Sequence, residues 1–119
     1  MRMGRVRFTD DQDNIVAGRY SDARGPVLRS DKQEVTRVFF ASGKGARTHH
    51  HPEEQTFYVV RGKLRVWLGD DEPYDVVADE ASFHPSNVPH RVEALEDTLL
   101  ISFKNVVDPT GYSETGRLD

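Results

Sequence analysis

"THHHPEEQTFYVVRG", Thr48 to Gly62, sets three consecutive histidines before Pro52, two glutamates and Gln55. It then runs into an apolar stretch that stops at Arg61-Gly62. If Arg47 to His51 is extended, His49 and His51 point to one face and His50 to the other. Proline has no N–H for a strand ladder, so the chain turns at Pro52 and Gln55 can open an antiparallel return strand. With Gln55 inward, Phe57 and Val59 also face inward, and Tyr58 and Val60 face away. Phe57 is then a pocket wall or ordinary core. The run is mid-chain, which argues against a purification tag, and no His-Glu-x-x-His spacing marks a zinc-protease helix. A metal site and a solvated histidine-rich loop both remain open on spacing alone. Glu53 and Glu54 read as solvated loop charges.

Outward from this stretch the pattern is β. "EVTRVFFA" is rich in β-branched and aromatic residues and ends at the turn cluster "SGKG". "KLRVWL" alternates Leu64, Val66 and Leu68 against Lys63, Arg65 and Trp67, which is period two. "YDVVA", "ASFHP", "HRVEALE" and "TLLISFKN" follow as further short strands. Strands at such spacing predict a sandwich or small barrel. Toward the start, "RVRF" and "NIVAGRY" read as short strands. Asp10, Asp11 and Asp13 lack the glycine and distal glutamate of a calcium loop and read as a solvated turn. The tail "VVDPTGYSETGRLD" is turn-rich and is expected to hug the surface or fray.

The 119 residues fit one domain, with a barrel core over about 34–105. With 36% hydrophobic and 30% charged residues the chain is globular rather than disordered. The net charge of −4 and the lack of a basic stripe argue against nucleic acid as a partner. The chain has no cysteine, which removes disulfides and thiolate ligands. No apolar run suggests a signal peptide or a membrane span, so the expected location is the cytoplasm.

All five histidines, His49, His50, His51, His84 and His90, fall between positions 49 and 90. His90 opens a strand after Pro89. Three imidazoles and an amide oxygen converging on one point would suit a divalent transition metal.

These segments resemble the two motifs of the cupin superfamily. The first motif is a glycine, five residues, His-x-His, three or four residues, Glu, six residues and Gly. Gly43, His49, His51, Gln55 and Gly62 follow that spacing. The second, a glycine, five residues, Pro-x-Gly, two residues and His, is matched in "DEASFHPSNVPH" by Pro85 and His90. Asp79 or Glu80 stands at the first glycine and Asn87 at the later one. Asparagine adopts positive φ more readily than most residues, so that exchange costs the match little. The resemblance spans roughly Val35 to Phe103. It implies an all-β fold, a single jelly-roll barrel of two antiparallel sheets. It also implies one divalent metal (Ni, Zn, Fe, Mn or Cu) on His49, His51, Gln55 and His90, with His50 turned away.

Gln55 stands where most metal cupins have glutamate. Either the site has decayed, or the amide serves as a neutral oxygen ligand. Four neutral ligands would leave the metal's double charge uncompensated, favouring an anionic substrate and a strong Lewis acid. The ligand set is similar to those of small cupins that linearise unsaturated uronic acids or isomerise keto-acids. The resemblance therefore implies isomerase or lyase chemistry through a metal-stabilised enolate on a small anionic carbonyl or sugar-acid compound. A metal-dependent dioxygenase acting on a diketone or aromatic substrate, and a binding cupin without turnover, are the alternatives. Arg37 would clamp a carboxylate or point to solvent. His84, near the mouth by analogy, would be a general acid or base or a structural residue. Open sheet edges and polar N-terminal strands suggest a homodimer.

Overall fold

The β-branched and aromatic alternation noted above builds every long strand of the computed structural model, which describes residues 4–108 and 115–118. Eleven strands are present among them: β1 (Asn14–Ile15), β2 (Arg24–Gly25), β3 (Val27–Arg29), β4 (Gln33–Phe40), β5 (Gly45–His49), β6 (Gln55–Arg61), β7 (Lys63–Leu68), β8 (Tyr74–Val77), β9 (Ala81–His84), β10 (His90–Ala94) and β11 (Thr98–Asn105). The described residues contain no helix. A seven-stranded sheet runs β1-β2-β4-β11-β6-β9, with β3 also on β4, and a four-stranded sheet runs β5-β10-β7-β8. Neighbours pair antiparallel throughout. This is the expected all-β jelly roll.

Period two sends alternate side chains between the sheets. Val38, Phe40, Val59, Leu64, Val66, Val92 and Leu100 are buried there and form the core. Full burial of such a side chain contributes about 1.5–3 kcal/mol, and this packing holds the sheets together. Gly62, at φ 104°, links β6 to β7. A Cβ there would lie 2.5 Å from the Asp97 carbonyl oxygen, so only glycine fits without a shift. Asn87 has φ 61°, as its place in the motif required, and Asp79 has φ 67°.

Three N-terminal readings change. "RVRF" forms no strand, and of "NIVAGRY" only Asn14–Ile15 is extended. Beyond it the chain turns at Ala17–Tyr20 and buries both of those residues, a long-range packing outcome that local composition does not carry. β2 and β3 are too short to give a periodic signal.

Candidate metal centre

β5 and β10 pair with His49 directly opposite His90, which brings two imidazoles together from one sheet. The chain continues extended past His49, so His51 returns to the same side. His49, His51 and His90 are all buried, with one ring nitrogen of each within 4.8 Å of the others. His50 is only partly buried and lies outside this group; its backbone bridges to Arg117.

The backbone sets the tautomers. His49 Nδ1 lies 2.6 Å from the Arg47 carbonyl oxygen, His51 Nδ1 3.0 Å from that of Glu53, and His90 Nδ1 3.0 Å from that of Val88. A carbonyl only accepts, so each Nδ1 carries the proton and donates it, leaving a lone pair on Nε2. His51 Nε2 and His90 Nε2 are buried without any hydrogen-bond partner. An unpaired buried polar atom costs about 1–3 kcal/mol, and a metal ion is the partner that three convergent lone pairs suit. Burial is also the first cause that lowers the pKa of His49 to about 3, of His51 to about 2 and of His90 to about 4. Mutual repulsion adds to it for His49 and His51. The rings are therefore neutral near pH 7, the form that binds metal.

The larger sheet supplies the facing wall. One row across it reads Glu34–Lys104–Gln55–His84, all inward and buried. Gln55 Nε2 donates to Ser102 Oγ at 2.9 Å, which leaves Oε1 as the free acceptor. Gln55 lines the same cavity as His49, Phe57, His90, Ser102 and Lys104. That cavity is about 30 Å³, and since one water needs some 10–15 Å³, it holds an ion or a couple of waters. An organic ligand needs Tyr20 to move, because its ring stacks on His49 at 4.0 Å and lines the cavity. Gly116 is packed against the outer side of that ring.

Several residues stand elsewhere than expected. Arg37 projects from the outer face of β4 and pairs with Asp10 at 2.7 Å, because Thr36 and Val38 take the inward positions. It does not reach the cavity. His84 is not at the mouth: it is fully buried, stacked on His90 at 4.5 Å and edge-on to Phe57 at 5.0 Å. Its Nε2 joins Ser82 Oγ at 2.9 Å, which in turn meets Tyr74 Oη at 2.7 Å. Its Nδ1 has no partner, and burial holds its pKa well below the ordinary value. Glu53 is not solvated either. Only 1% exposed, it lies 3.6 Å from His51 Nδ1 and accepts hydrogen bonds from Thr115 Oγ1 at 2.8 and 2.9 Å. Phe57 is an inner wall, as parity required.

Lys104 and Tyr20 are site residues that the sequence reading missed. The alternation Leu100, Ser102, Lys104 on β11 carried the signal for the lysine. Burial lowers the Lys104 pKa to about 7, against the opposing pull of Glu53 and Glu34. Tyr20 reaches the site through long-range packing, and nothing local marks it.

A cupin-domain family model matches residues 36–103, which contain Gln55 and all five histidines. The chain belongs to the cupin family. Three solved structures share its fold. The first is KdgF from Halomonas sp., with a TM-score of 0.67 and 24% identity over 74% of this chain and 82% of that one. The second is the DMSP lyase DddQ from Ruegeria pomeroyi, with a TM-score of 0.67 and 19% identity over 94% of this cupin and 59% of that chain. A B. subtilis oxalate decarboxylase variant gives a TM-score of 0.68 and 19% identity over 82% of this cupin and 28% of that chain. No curated protein matches this cupin in sequence.

Proposed function

We propose that this cupin is a metal-dependent enzyme that converts a small anionic carbonyl compound or sugar acid by isomerase or lyase chemistry. In this reading His49, His51 and His90 hold one divalent transition metal through Nε2, and Gln55 adds its amide oxygen. The observation that carries it is the set of three Nδ1–H···O=C bonds, which leave three Nε2 lone pairs facing one another. When bound, such an ion supplies Lewis acidity toward a substrate oxygen.

The chain's own residues favour an anion. Four neutral ligands leave the ion's charge uncompensated, and Lys104 adds an amine on the facing wall beside Gln55. Gln55 is held by Ser102, so its oxygen stays presented. Phe57 closes one side of the cavity against water. Two of the similar structures are named as enzymes, a DMSP lyase and an oxalate decarboxylase, which supports turnover over binding alone.

A panel of uronates, keto-acids, diketones and flavonols, run with and without oxygen, tests this. Anaerobic turnover of a uronate or keto-acid, partly supported by zinc, is the expected result. Oxygen uptake that depends on a diketone or flavonol, and is lost in His90→Ala, would instead establish the dioxygenase. Gln55→Glu should keep the metal yet weaken an anionic ligand roughly ten- to a hundredfold, an effect of about 1–3 kcal/mol.

A further inference from the structure

Tyr20 and the segment Thr115–Arg117 meet over the candidate metal centre. The face of the Tyr20 ring lies on His49 at 4.0 Å. The tip of the ring abuts Gly116, where a Cβ would come 2.4 Å from Tyr20 Cε1 and 2.6 Å from Oη. With the ring in place the cavity behind it is about 30 Å³, room for water-sized species only. The Tyr20 backbone is fixed. Arg47 N–H donates to its carbonyl at 2.7 Å, and Ser21 bridges to Ala46 on β5. Opening the cavity is therefore a side-chain swing, and the strap-like segment holds the end of the ring that must travel farthest.

We propose that Tyr20 is the gate that decides what reaches this centre, and that Thr115–Arg117 is the strap that keeps it shut. The proposal rests on the metal reading only for what lies behind the gate. Three fasteners hold the strap. Arg19 donates to the Gly116 carbonyl at 2.9 Å. His50 and Arg117 exchange two backbone hydrogen bonds of 2.8 Å. Thr115 Oγ1 donates to the Glu53 carboxylate, 2.8 and 2.9 Å from its two oxygens. All three are polar contacts, and water replaces much of their worth on release. Leu118, next along the chain, is 48% exposed and adds no apolar anchor. An element fastened this way opens at a lower free energy than the whole domain. The closed state also carries a cost, because Tyr20 Oη is buried without a partner, and a swing into water would satisfy it. The gate is thus shut by default but not deeply. A ligand that needs the ring displaced binds the open state and draws the strap off with it. Glu53 lies 3.6 Å from His51 Nδ1, so the strap is fastened beside a candidate ligand.

Diethyl pyrocarbonate acylates neutral imidazoles and is far larger than water, so it tests this on the metal-free chain near neutral pH. Mass spectrometry locates the labelled histidines. His49 and His90 should react slowly in the unaltered chain. Gly116→Ala and Thr115→Val leave the ring in place, so a faster reaction in them reports the strap. Gly116→Ala should speed both histidines roughly tenfold and Thr115→Val several-fold. Tyr20→Phe keeps the ring and deletes the unpartnered hydroxyl, so it should react no faster than the parent. Amide exchange by NMR reads the strap itself: Tyr20→Ala should speed exchange at His50 and Arg117 and leave Val59 in the core unchanged. If Tyr20→Ala fails to fold, the two strap variants decide. The proposal is overturned if the unaltered chain reacts as fast as Gly116→Ala, or if neither strap variant speeds the reaction. No metal enters, so a failed substrate panel leaves a positive result standing, and a negative one leaves the metal reading as it was.

Discussion

Inward positions change character along four strands of the barrel, and they change together. On β11 they run Lys104, Ser102, Leu100 and then Thr98, whose hydroxyl is satisfied by the Lys63 and Glu96 backbone; on β6 Gln55, Phe57, Val59; on β4 Glu34, Thr36, Val38, Phe40; on β10 His90, Val92, Ala94. Register stacks the polar ends at one end of the barrel and the apolar ends at the other. All the buried side-chain atoms found without a partner among the described residues, on Tyr20, Glu34, His51, His84 and His90, lie at the polar end. Such burial costs stability, so the apolar end must supply it. If the polar end is the one that binds and the apolar end the one that folds, substitutions should separate the two.

The largest separation is expected from the histidines. The His49→Ala, His51→Ala double variant removes two of three nitrogen donors. It should lower metal affinity a hundredfold or more, read as metal per chain by mass spectrometry after dialysis. Metal-free His90→Ala should lose less stability than a core truncation, since removal of an unpaired buried Nε2 offsets part of the lost ring packing and of the Nδ1 bond to Val88. Leu100→Ala at the apolar end should do the reverse. Its side chain is fully buried, and the cavity left should cost about 2–5 kcal/mol with metal stoichiometry intact. Equal destabilisation by both changes would break the division.

Acid should weaken the metal-free protein through the same histidines. Folding lowers the pKa of His49, His51 and His90 to about 3, 2 and 4, from 6.5 unfolded. Between those values the unfolded chain binds protons that the folded one refuses, so stability is full above pH 6.5 and falls as the pH drops toward 4. Each ring contributes up to about 1.4 kcal/mol per pH unit in that window. Denaturant titrations at pH 7 and pH 5 would measure the slope, and His90→Ala should flatten it. An unchanged slope in that variant would mean that His90 is not a neutral ring held by burial.

Glu53 tests whether the polar end extends beyond the candidate ligands. Its carboxylate sits 3.6 Å from His51 Nδ1 and is held by Thr115. Partners behind a ligand tune affinity about ten- to a hundredfold, and here the backbone carbonyl keeps the main hydrogen bond. Glu53→Gln should therefore cost near tenfold in metal affinity, by competition with a chelator dye. No change would reduce Glu53 to an anchor for the Thr115 segment.

Period two and two spaced motifs made the barrel legible, along with the inward parity of Gln55 and the shared side of His49 and His51. Those features depend on neighbours a few residues apart. His84 and Glu53 were not placed correctly and the choice for Arg37 between a carboxylate clamp and solvent stayed open, because each depends on distant groups: Asp10 for the arginine, the Ser82–Tyr74 pair for the histidine, Thr115 for the glutamate. Lys104 was recoverable by extending the parity of Leu100 along β11. Tyr20 was not, since only the tertiary turn at Ala17–Tyr20 brings it to His49.

The smallest effect concerns the turn that ties β9 to the histidine loop. Val88 N donates to the Pro85 carbonyl at 3.3 Å, and Asn87, third in that turn, has φ 61°. A turn of this kind with positive φ at the third residue favours glycine or asparagine. The Asn87 N–H also donates to the His51 carbonyl at 2.8 Å, so the turn fixes the backbone of a candidate ligand. Asn87→Ala keeps that N–H but removes the short polar side chain whose local hydrogen bonding lets asparagine tolerate the left-handed region, which costs up to about 1 kcal/mol. Asn87→Gly keeps both the bond and the conformation. It loses only some unfolded-state restriction, a change within about 1 kcal/mol. Chemical denaturation should thus rank the parent and Asn87→Gly together, with Asn87→Ala below them, and metal affinity should follow the same order by a few-fold at most. If Asn87→Ala matches the parent in both, the positive φ is not a demand of the turn. The glycine position of the second motif would then be filled by asparagine for another reason.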